Sequence, residues 1–171
     1  MKKIPLSAPN LDIKIAENLR ECVETGWIST GGRFIDEFEK KAAQYVGMKE
    51  AVACQSGTAG LHTSLRIVGV RPGHEVIVPT VAFIAAVNPV MYLGARPVFM
   101  DCDRYLCMDA DKLERFCREE CSIQDGRLVN RSSGRTVSAV APVHVFGNLA
   151  DMERIMLIAK DYRLRDRKSV V

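Results

Sequence analysis

The chain has 171 residues, of which 47% are hydrophobic and 26% are charged, as is ordinary for a globular domain. Its formal net charge of +3 at pH 7 is small, so charge gives no reason to expect nucleic acid as a partner. No run reaches the roughly 18 apolar residues of a membrane span, and the first residues do not form a signal peptide. We therefore expect a cytoplasmic protein that does not enter a membrane.

The cysteine pattern predicts reduced thiols rather than a metal site. No pair has the Cys-x-x-Cys spacing of common zinc sites, and no metal is expected. Cys54 lies in an apolar run and is interpreted as a core residue. The six cysteines are Cys22, Cys54, Cys102, Cys107, Cys117 and Cys121.

The first third of the chain predicts two helices separated by a glycine-rich loop. Residues 1–10 resemble an extended arm, and apolar residues at every fourth position predict an amphipathic helix over 10–24. The loop 26–32 contains three glycines and the only tryptophan, Trp27, which either anchors packing or lines a site. A second helix is predicted over 34–46.

The next stretch predicts a strand, a tight turn and a helix that together form an anion site. An apolar run over 51–55 ends at Ser56, Gly57 and Thr58, and apolar residues at helical spacing follow. A helix N-terminus offers free backbone amides and the positive end of its dipole, so a phosphate would bind there. In the alternative interpretation, Ser56 only caps the helix and Gly57 only makes the turn.

The remainder of the chain alternates strands with helices, which predicts right-handed crossovers and a three-layer α/β fold with a mainly parallel sheet. Polar segments follow several strands, and ligands gather at such strand ends. In chain order we expect a strand over 75–79, a helix over 81–93 interrupted at Pro89, a strand over 98–101, a helix over 112–120, a hairpin within 122–136, a strand over 137–145 and a helix over about 149–160.

Several motifs occur in an order that carries a family resemblance. From about residue 4 to residue 164 the chain resembles the DegT-type nucleotide-sugar aminotransferases, which are pyridoxal 5′-phosphate (PLP) enzymes of fold type I. The segment 102–121 resembles the branch that serves legionaminic-acid biosynthesis. The motifs lie at 4–7, 26–31, 38–39, 56–59, 72–77, 97–101, 142–148 and 150–152.

The resemblance implies a cofactor site. Gly57 and Thr58 would hold the PLP phosphate, and Ser56 would shape the turn. Phe83 matches the aromatic residue that lies flat against the pyridine ring. From the sequence alone, a core phenylalanine is the alternative for Phe83.

The resemblance also implies a substrate site and its partners. The substrate would be a nucleotide-linked deoxysugar with a keto group, aminated with an amino group from glutamate by a homodimer. His144 follows a strand, and either a site role or a hydrogen-bonded core position suits it. The residues expected near the sugar are Trp27, Ile28, Ser29, Thr30, Asn88 and His144.

The resemblance predicts an incomplete enzyme. Residues 1–33 would form an arm, helix and loop, residues 34–164 an incomplete PLP-binding large domain, and residues 165–171 a non-native tail. No lysine matches the Schiff-base position and no aspartate matches the pyridinium partner, so no catalytic residue is assigned and the chain alone is expected to be inactive.

Two other classes of protein compete with this interpretation. Another nucleotide-binding α/β domain would carry a Gly-x-Gly-x-x-Gly or Walker-type motif after a strand, and the sequence has neither. A non-catalytic binding or regulatory protein could keep the PLP-enzyme fold without the lysine.

Overall fold

The computed structural model of the chain describes residues 8–164. Most of the predicted extended arm and all of the predicted non-native tail, residues 165–171, lie outside these residues. The chain divides between Ala53 and Cys54 into two compact units. In chain order the elements are α1 (Ile13–Thr25), α2 (Arg33–Tyr45), α3 (Gly57–Ile67), β1 (Glu75–Pro79), a 3₁₀ helix (Ile84–Ala86), α4 (Asn88–Tyr92), β2 (Arg96–Met100), α5 (Ala110–Glu119), β3 (Cys121–Gln124), β4 (Arg127–Asn130), β5 (Val137–Val140), a second 3₁₀ helix (Val145–Gly147) and α6 (Met152–Asp161).

The first unit contains α1 and α2, which confirms the two helices predicted before residue 47. The Asp12 side chain accepts a hydrogen bond from the Lys14 amide and caps α1, and Gly26 ends this helix with a φ of 75°. Arg33, the first residue of α2, forms a 2.8 Å ion pair with Glu21 of α1. The loop between the helices is therefore held at both of its ends.

The strand predicted over 51–55 is wrong. Residues 51–54 have no strand assignment, and the Ala53 amide donates to the Glu39 carboxylate at 2.8 Å instead of to a strand. The apolar character of this run predicts a strand, but Val52 is 81% exposed. Cys54 is exposed as well, so its interpretation as a core residue is also wrong.

The second unit is built on a three-stranded parallel sheet with the order β2-β1-β5. β1 lies in the middle and all five of its residues are buried, as its predicted apolar run requires. The strand predicted over 137–145 is confirmed only for its first part, because regular pairing ends at Val140 and the chain continues into the second 3₁₀ helix. The mainly parallel α/β sheet is confirmed.

Alternate residues of β1 face two separate cores, which makes the three layers. Ile77 belongs to one core, and Val76 and Val78 belong to the other. The first core contains residues of α5 and α6, and the second contains residues of α3 and α4. The members contributed by these helices include Leu113, Phe116, Ile155 and Ile158 in the first core, and Leu65 and Val90 in the second.

Two local predictions concern the helix interruption at Pro89 and the hairpin within 122–136, and both features are present. The helix expected over 81–93 is interrupted, because proline restricts the residue before it and cannot donate a backbone hydrogen bond; α4 begins at Asn88 with Pro89 in its first turn. Strands β3 and β4 form the predicted hairpin. Its two-residue turn has positive φ at both Asp125 and Gly126, which is the conformation that Asp-Gly favours.

Candidate functional site

The N-terminus of α3 presents two backbone amides to solvent. Ser56 caps the helix, since its Oγ accepts a hydrogen bond from the Ala59 amide at 3.2 Å. The Gly60 amide donates to the Ser56 carbonyl at 3.0 Å. Within residues 8–164, the amides of Gly57 and Thr58 have no hydrogen-bond acceptor. The capping interpretation is therefore correct for Ser56, and two donors remain for an anion.

Gly57 does not serve to make a turn. It is the first residue of α3, and its φ lies outside the positive range in which glycine is favoured. A Cβ added at this position would meet nothing within 4 Å, so no neighbouring atom crowds the Cα of Gly57. The two amides and this uncrowded backbone fit a phosphate group, which needs close backbone approach and several donors.

Phe83 and Asn88 lie on elements that pack against α3. Phe83 directly precedes the first 3₁₀ helix and Asn88 is the first residue of α4, and α3 contacts both of these elements. The Phe83 residue is 81% exposed, so the interpretation of Phe83 as a core residue is wrong. An exposed aromatic ring is available for stacking on a flat ligand.

His144 is held by a backbone hydrogen bond. Its Nδ1 accepts from the Ala150 amide at 3.0 Å, and the side chain is half-buried. Because Nδ1 is the acceptor, the neutral ring carries its proton on Nε2. The structure thus gives His144 a structural contact in the segment that follows β5, and Nε2 is the ring atom left to meet a ligand.

Phe146 is a residue of this segment that sequence reasoning did not single out. Its φ is 54°, a conformation that non-glycine residues rarely adopt, and the residue is 85% exposed. Strained backbone of this kind clusters at functional sites. No signal in the local sequence indicates the positive φ at Phe146, because an aromatic residue gives no preference for it.

The segments that follow β2 and β5 are linked to each other. Asn148 donates through Nδ2 to the Tyr105 carbonyl at 2.9 Å, and the Cys107 thiol lies 3.4 Å from the Asn148 carbonyl. After β2, Lys112 Nζ contacts Asp101 Oδ2 at 2.5 Å. The hydrogen bond from Lys112, with a second one from the Cys102 amide, lowers the pKa of Asp101 below its ordinary value. These contacts fix the polar segments at the carboxyl ends of the strands.

The predicted sugar-site loop lies in the first unit, where it lines a groove of its own. The groove has a volume of about 610 Å³ and is lined by the end of α1, the loop and the start of α2. Trp27, Ile28 and Ser29 line it, whereas Thr30 lies exposed in the same loop. The Trp27 ring lies against Gly31 and is 64% exposed, so Trp27 is not a buried anchor.

The cysteines and acidic residues do not assemble a metal site within the described part of the chain, where no group of three His, Cys, Asp or Glu could hold an ion. Cys117 and Cys121 are buried, and desolvation raises their pKa values to about 12 and about 11. No helix formed by residues 8–164 has the length and apolar content that a membrane crossing requires.

Residues 8–164 thus form an α/β fold in which the helix α3 begins with two backbone amides that have no hydrogen-bond acceptor among these residues. The chain belongs to the DegT/DnrJ/EryC1/StrS aminotransferase family, which it matches over residues 9–165. This finding confirms the resemblance stated from the motifs.

Curated relatives include GDP-perosamine synthase of Caulobacter vibrioides, which is 41% identical over 165 residues, or 96% of this chain and 40% of that protein. UDP-4-amino-4-deoxy-L-arabinose–oxoglutarate aminotransferase of Shewanella sediminis is 30% identical over 94% of this chain and 37% of its own length. Among solved structures, Spr1654 of Streptococcus pneumoniae in its PLP form has a TM-score of 0.79 at 27% identity, covering 99% of this chain and 39% of that one. The chain thus spans about two fifths of the length of these relatives.

Proposed function

We propose that this chain forms the phosphate-anchoring part of a PLP-dependent aminotransferase. The whole protein would transfer an amino group from glutamate to a keto group of a nucleotide-linked deoxysugar, and would work as a cytoplasmic homodimer. The observation that carries the proposal is the pair of unengaged amides at Gly57 and Thr58, beside the uncrowded Cα of Gly57, in a member of this family.

Different residues of the chain contact the phosphate and the ring of the cofactor. The amides of Gly57 and Thr58, with the Thr58 hydroxyl, bind the phosphate, while Ser56 holds the helix terminus in place through its cap. Phe83 covers one face of the pyridine ring. When bound, PLP supplies the electron sink for amino transfer, and the chain supplies position and exclusion of water.

The substrate is assigned by family. On that ground we assign the loop formed by Trp27, Ile28, Ser29 and Thr30 to the sugar, and we likewise assign Asn88 and His144 of the second unit to the substrate. Amination of a nucleotide-linked sugar for a cell-surface polysaccharide or a nonulosonic acid agrees with relatives that are named for perosamine and 4-amino-arabinose chemistry. The legionaminic-acid branch stays a prediction.

Catalysis by the 171 residues alone is not part of the proposal. Lys112 is engaged by two carboxylates, Asp101 at 2.5 Å and Asp109 at 3.6 Å, which does not suit a Schiff-base lysine. We assign no catalytic lysine, and expect no transaminase activity from this polypeptide by itself.

Binding of pyridoxamine 5′-phosphate tests the phosphate anchor without requiring turnover. This probe has no aldehyde and cannot react with surface lysines, and its fluorescence reports binding. We expect saturable binding, and about tenfold weaker binding of pyridoxamine, which lacks the phosphate and its charge-assisted hydrogen bonds. Equal affinity for the two probes would contradict the proposal.

A matched pair of substitutions on α3 tests whether the Thr58 hydroxyl contributes to phosphate binding. Thr58→Ala removes a hydroxyl from the proposed phosphate site and should weaken binding of the phosphorylated probe about fivefold. Thr63→Ala removes the same group from an exposed position further along the same helix and should leave binding unchanged. Unaltered binding in Thr58→Ala would show that the Thr58 hydroxyl does not contact the phosphate.

A further inference from the structure

A second polar cleft lies at the opposite end of the parallel strands from the segments described above. It has a volume of about 450 Å³. His74 and Thr136, which directly precede β1 and β5, line it together with the turn of the β3–β4 hairpin. The cleft therefore lies at the amino ends of the strands, whereas Phe83 and His144 follow the carboxyl ends of β1 and β5.

Three arginines line this cleft without a carboxylate partner. They are Arg71, Arg127 and Arg163, and none of them forms an ion pair within residues 8–164. Asp125 is the one acidic residue in the lining, and it lies beyond ion-pair distance of each arginine. Like charges that converge on one cleft repel each other unless an anion lies between them.

The local backbone holds these arginines in place. Arg163 has a φ of 57° after the end of α6, and its Nη1 lies 3.2 Å from the point that a Cβ on Gly126 would occupy. Gly126 thus permits both the hairpin turn and the approach of the guanidinium. On the other wall, the Arg71 amide donates to His74 Nδ1 at 3.3 Å, which fixes the turn that carries Arg71.

The hairpin that carries Arg127 is also fastened to the sheet. Asn130 of β4 donates to the buried Glu75 carboxylate of β1 at 2.9 Å, and Val129 forms a bridge with Thr136. The hairpin that carries Arg127 is thus fixed to the central strand by a buried polar contact.

We propose that this cleft binds a phosphate-class oxyanion, and that a diphosphate group is its ligand. Guanidinium groups match phosphate oxygens through paired N–H donors, and three exposed arginines line this cleft, whose volume is larger than one phosphate requires. The site is separate from the α3 terminus and shares none of its residues, so this inference does not depend on the proposed aminotransferase function.

Calorimetric titration of the 171-residue chain with inorganic pyrophosphate, at fixed ionic strength set with chloride, tests the cleft. We expect saturable binding of one pyrophosphate in the cleft, weakened about fivefold by Arg127→Gln and by Arg163→Gln. Arg115→Gln removes the same charge from an exposed position on α5 outside the cleft and should leave the affinity unchanged.

Further measurements separate a loss of folding from a loss of binding, and distinguish a nucleotide from a free diphosphate. The urea midpoint of each variant is recorded, and Arg71→Gln replaces any variant that fails to fold. A nucleoside diphosphate such as UDP is titrated in parallel: tighter binding than pyrophosphate identifies a nucleotide as the source of the diphosphate, and equal binding identifies the diphosphate alone. Absence of saturable binding, or equal weakening by Arg115→Gln, would overturn the proposal.

Discussion

Phe83 is a large apolar side chain that contributes little to the core, since the residue is 81% exposed. We expect Phe83→Ala to change the free energy of unfolding by less than about 0.5 kcal/mol, as for other surface positions. The same change should weaken binding of pyridoxamine 5′-phosphate about fivefold, because stacking against the ring is lost.

The neighbouring Ile84 provides a control for Phe83. Ile84 is 60% exposed, and Ile84→Ala removes apolar surface close to the same site without removing a ring. Urea denaturation and probe fluorescence measure the two effects separately. A large loss of stability in Phe83→Ala with unchanged probe binding would show that Phe83 is a packing residue after all.

The buried thiol of Cys117 gives a prediction about pH. Burial raises the pKa of Cys117 to about 12, from an ordinary value of 9.0. Between these values the unfolded thiol ionises while the folded thiol stays protonated, so the free energy of unfolding should fall as pH rises above about 9. Cys117→Ala should lose part of this pH dependence, measured by urea denaturation at several pH values.

Alkylation provides an independent measurement on the same residue. The thiolate is the reactive form, so iodoacetamide at about pH 8 should label the exposed Cys54 and leave Cys117 unlabelled until urea is added. Mass spectrometry of peptides identifies the labelled sites. Rapid labelling of Cys117 in the folded chain would contradict its burial.

The β3–β4 hairpin depends on a buried polar contact with the sheet. Asn130→Ala removes the donor to the Glu75 carboxylate, and both residues are buried, so we expect a loss of about 1–3 kcal/mol in the free energy of unfolding. Gln124→Ala, at an exposed position of the same hairpin, should cost less than about 0.5 kcal/mol. Equal costs for the two variants would mean that the contact does not hold the hairpin.

Sequence reasoning succeeded where one short segment contains the whole signal. The Asp125-Gly126 turn, the apolar strand β1 and the break at Pro89 each depend on residues within a few positions. It failed for residues 51–54, since an apolar run does not state whether a partner strand lies beside it, and Ala53 instead bonds to Glu39.

In the candidate site, too, local features were predictable from the sequence and long-range contacts were not. The amides at Gly57 and Thr58 were predictable, because the cap at Ser56 and the following helix are local features. The contacts of His144 with Ala150, of Asn148 with Tyr105 and of Lys112 with Asp101 were not predicted. They depend on loops that meet only when the parallel strands are assembled.

The two proposed anion sites both belong to the second unit. Phe83 and His144, assigned to the proposed site, follow the carboxyl ends of β1 and β5, as is usual for ligand sites of parallel sheets, whereas the arginine cleft lies at the amino ends. The length of β1, five residues or about 17 Å, separates the two ends. We therefore expect a ligand at one site to leave the backbone amides of the other site unchanged.

Amide proton–nitrogen NMR of the isotope-labelled chain during titration with pyridoxamine 5′-phosphate locates the phosphate on the chain. We expect the Gly57 and Thr58 amide resonances to move most, because these amides gain a charged acceptor, and the Gly126 amide resonance to stay in place. Shifts that leave Gly57 and Thr58 unmoved and map to another part of the chain would contradict a phosphate anchor at the start of α3.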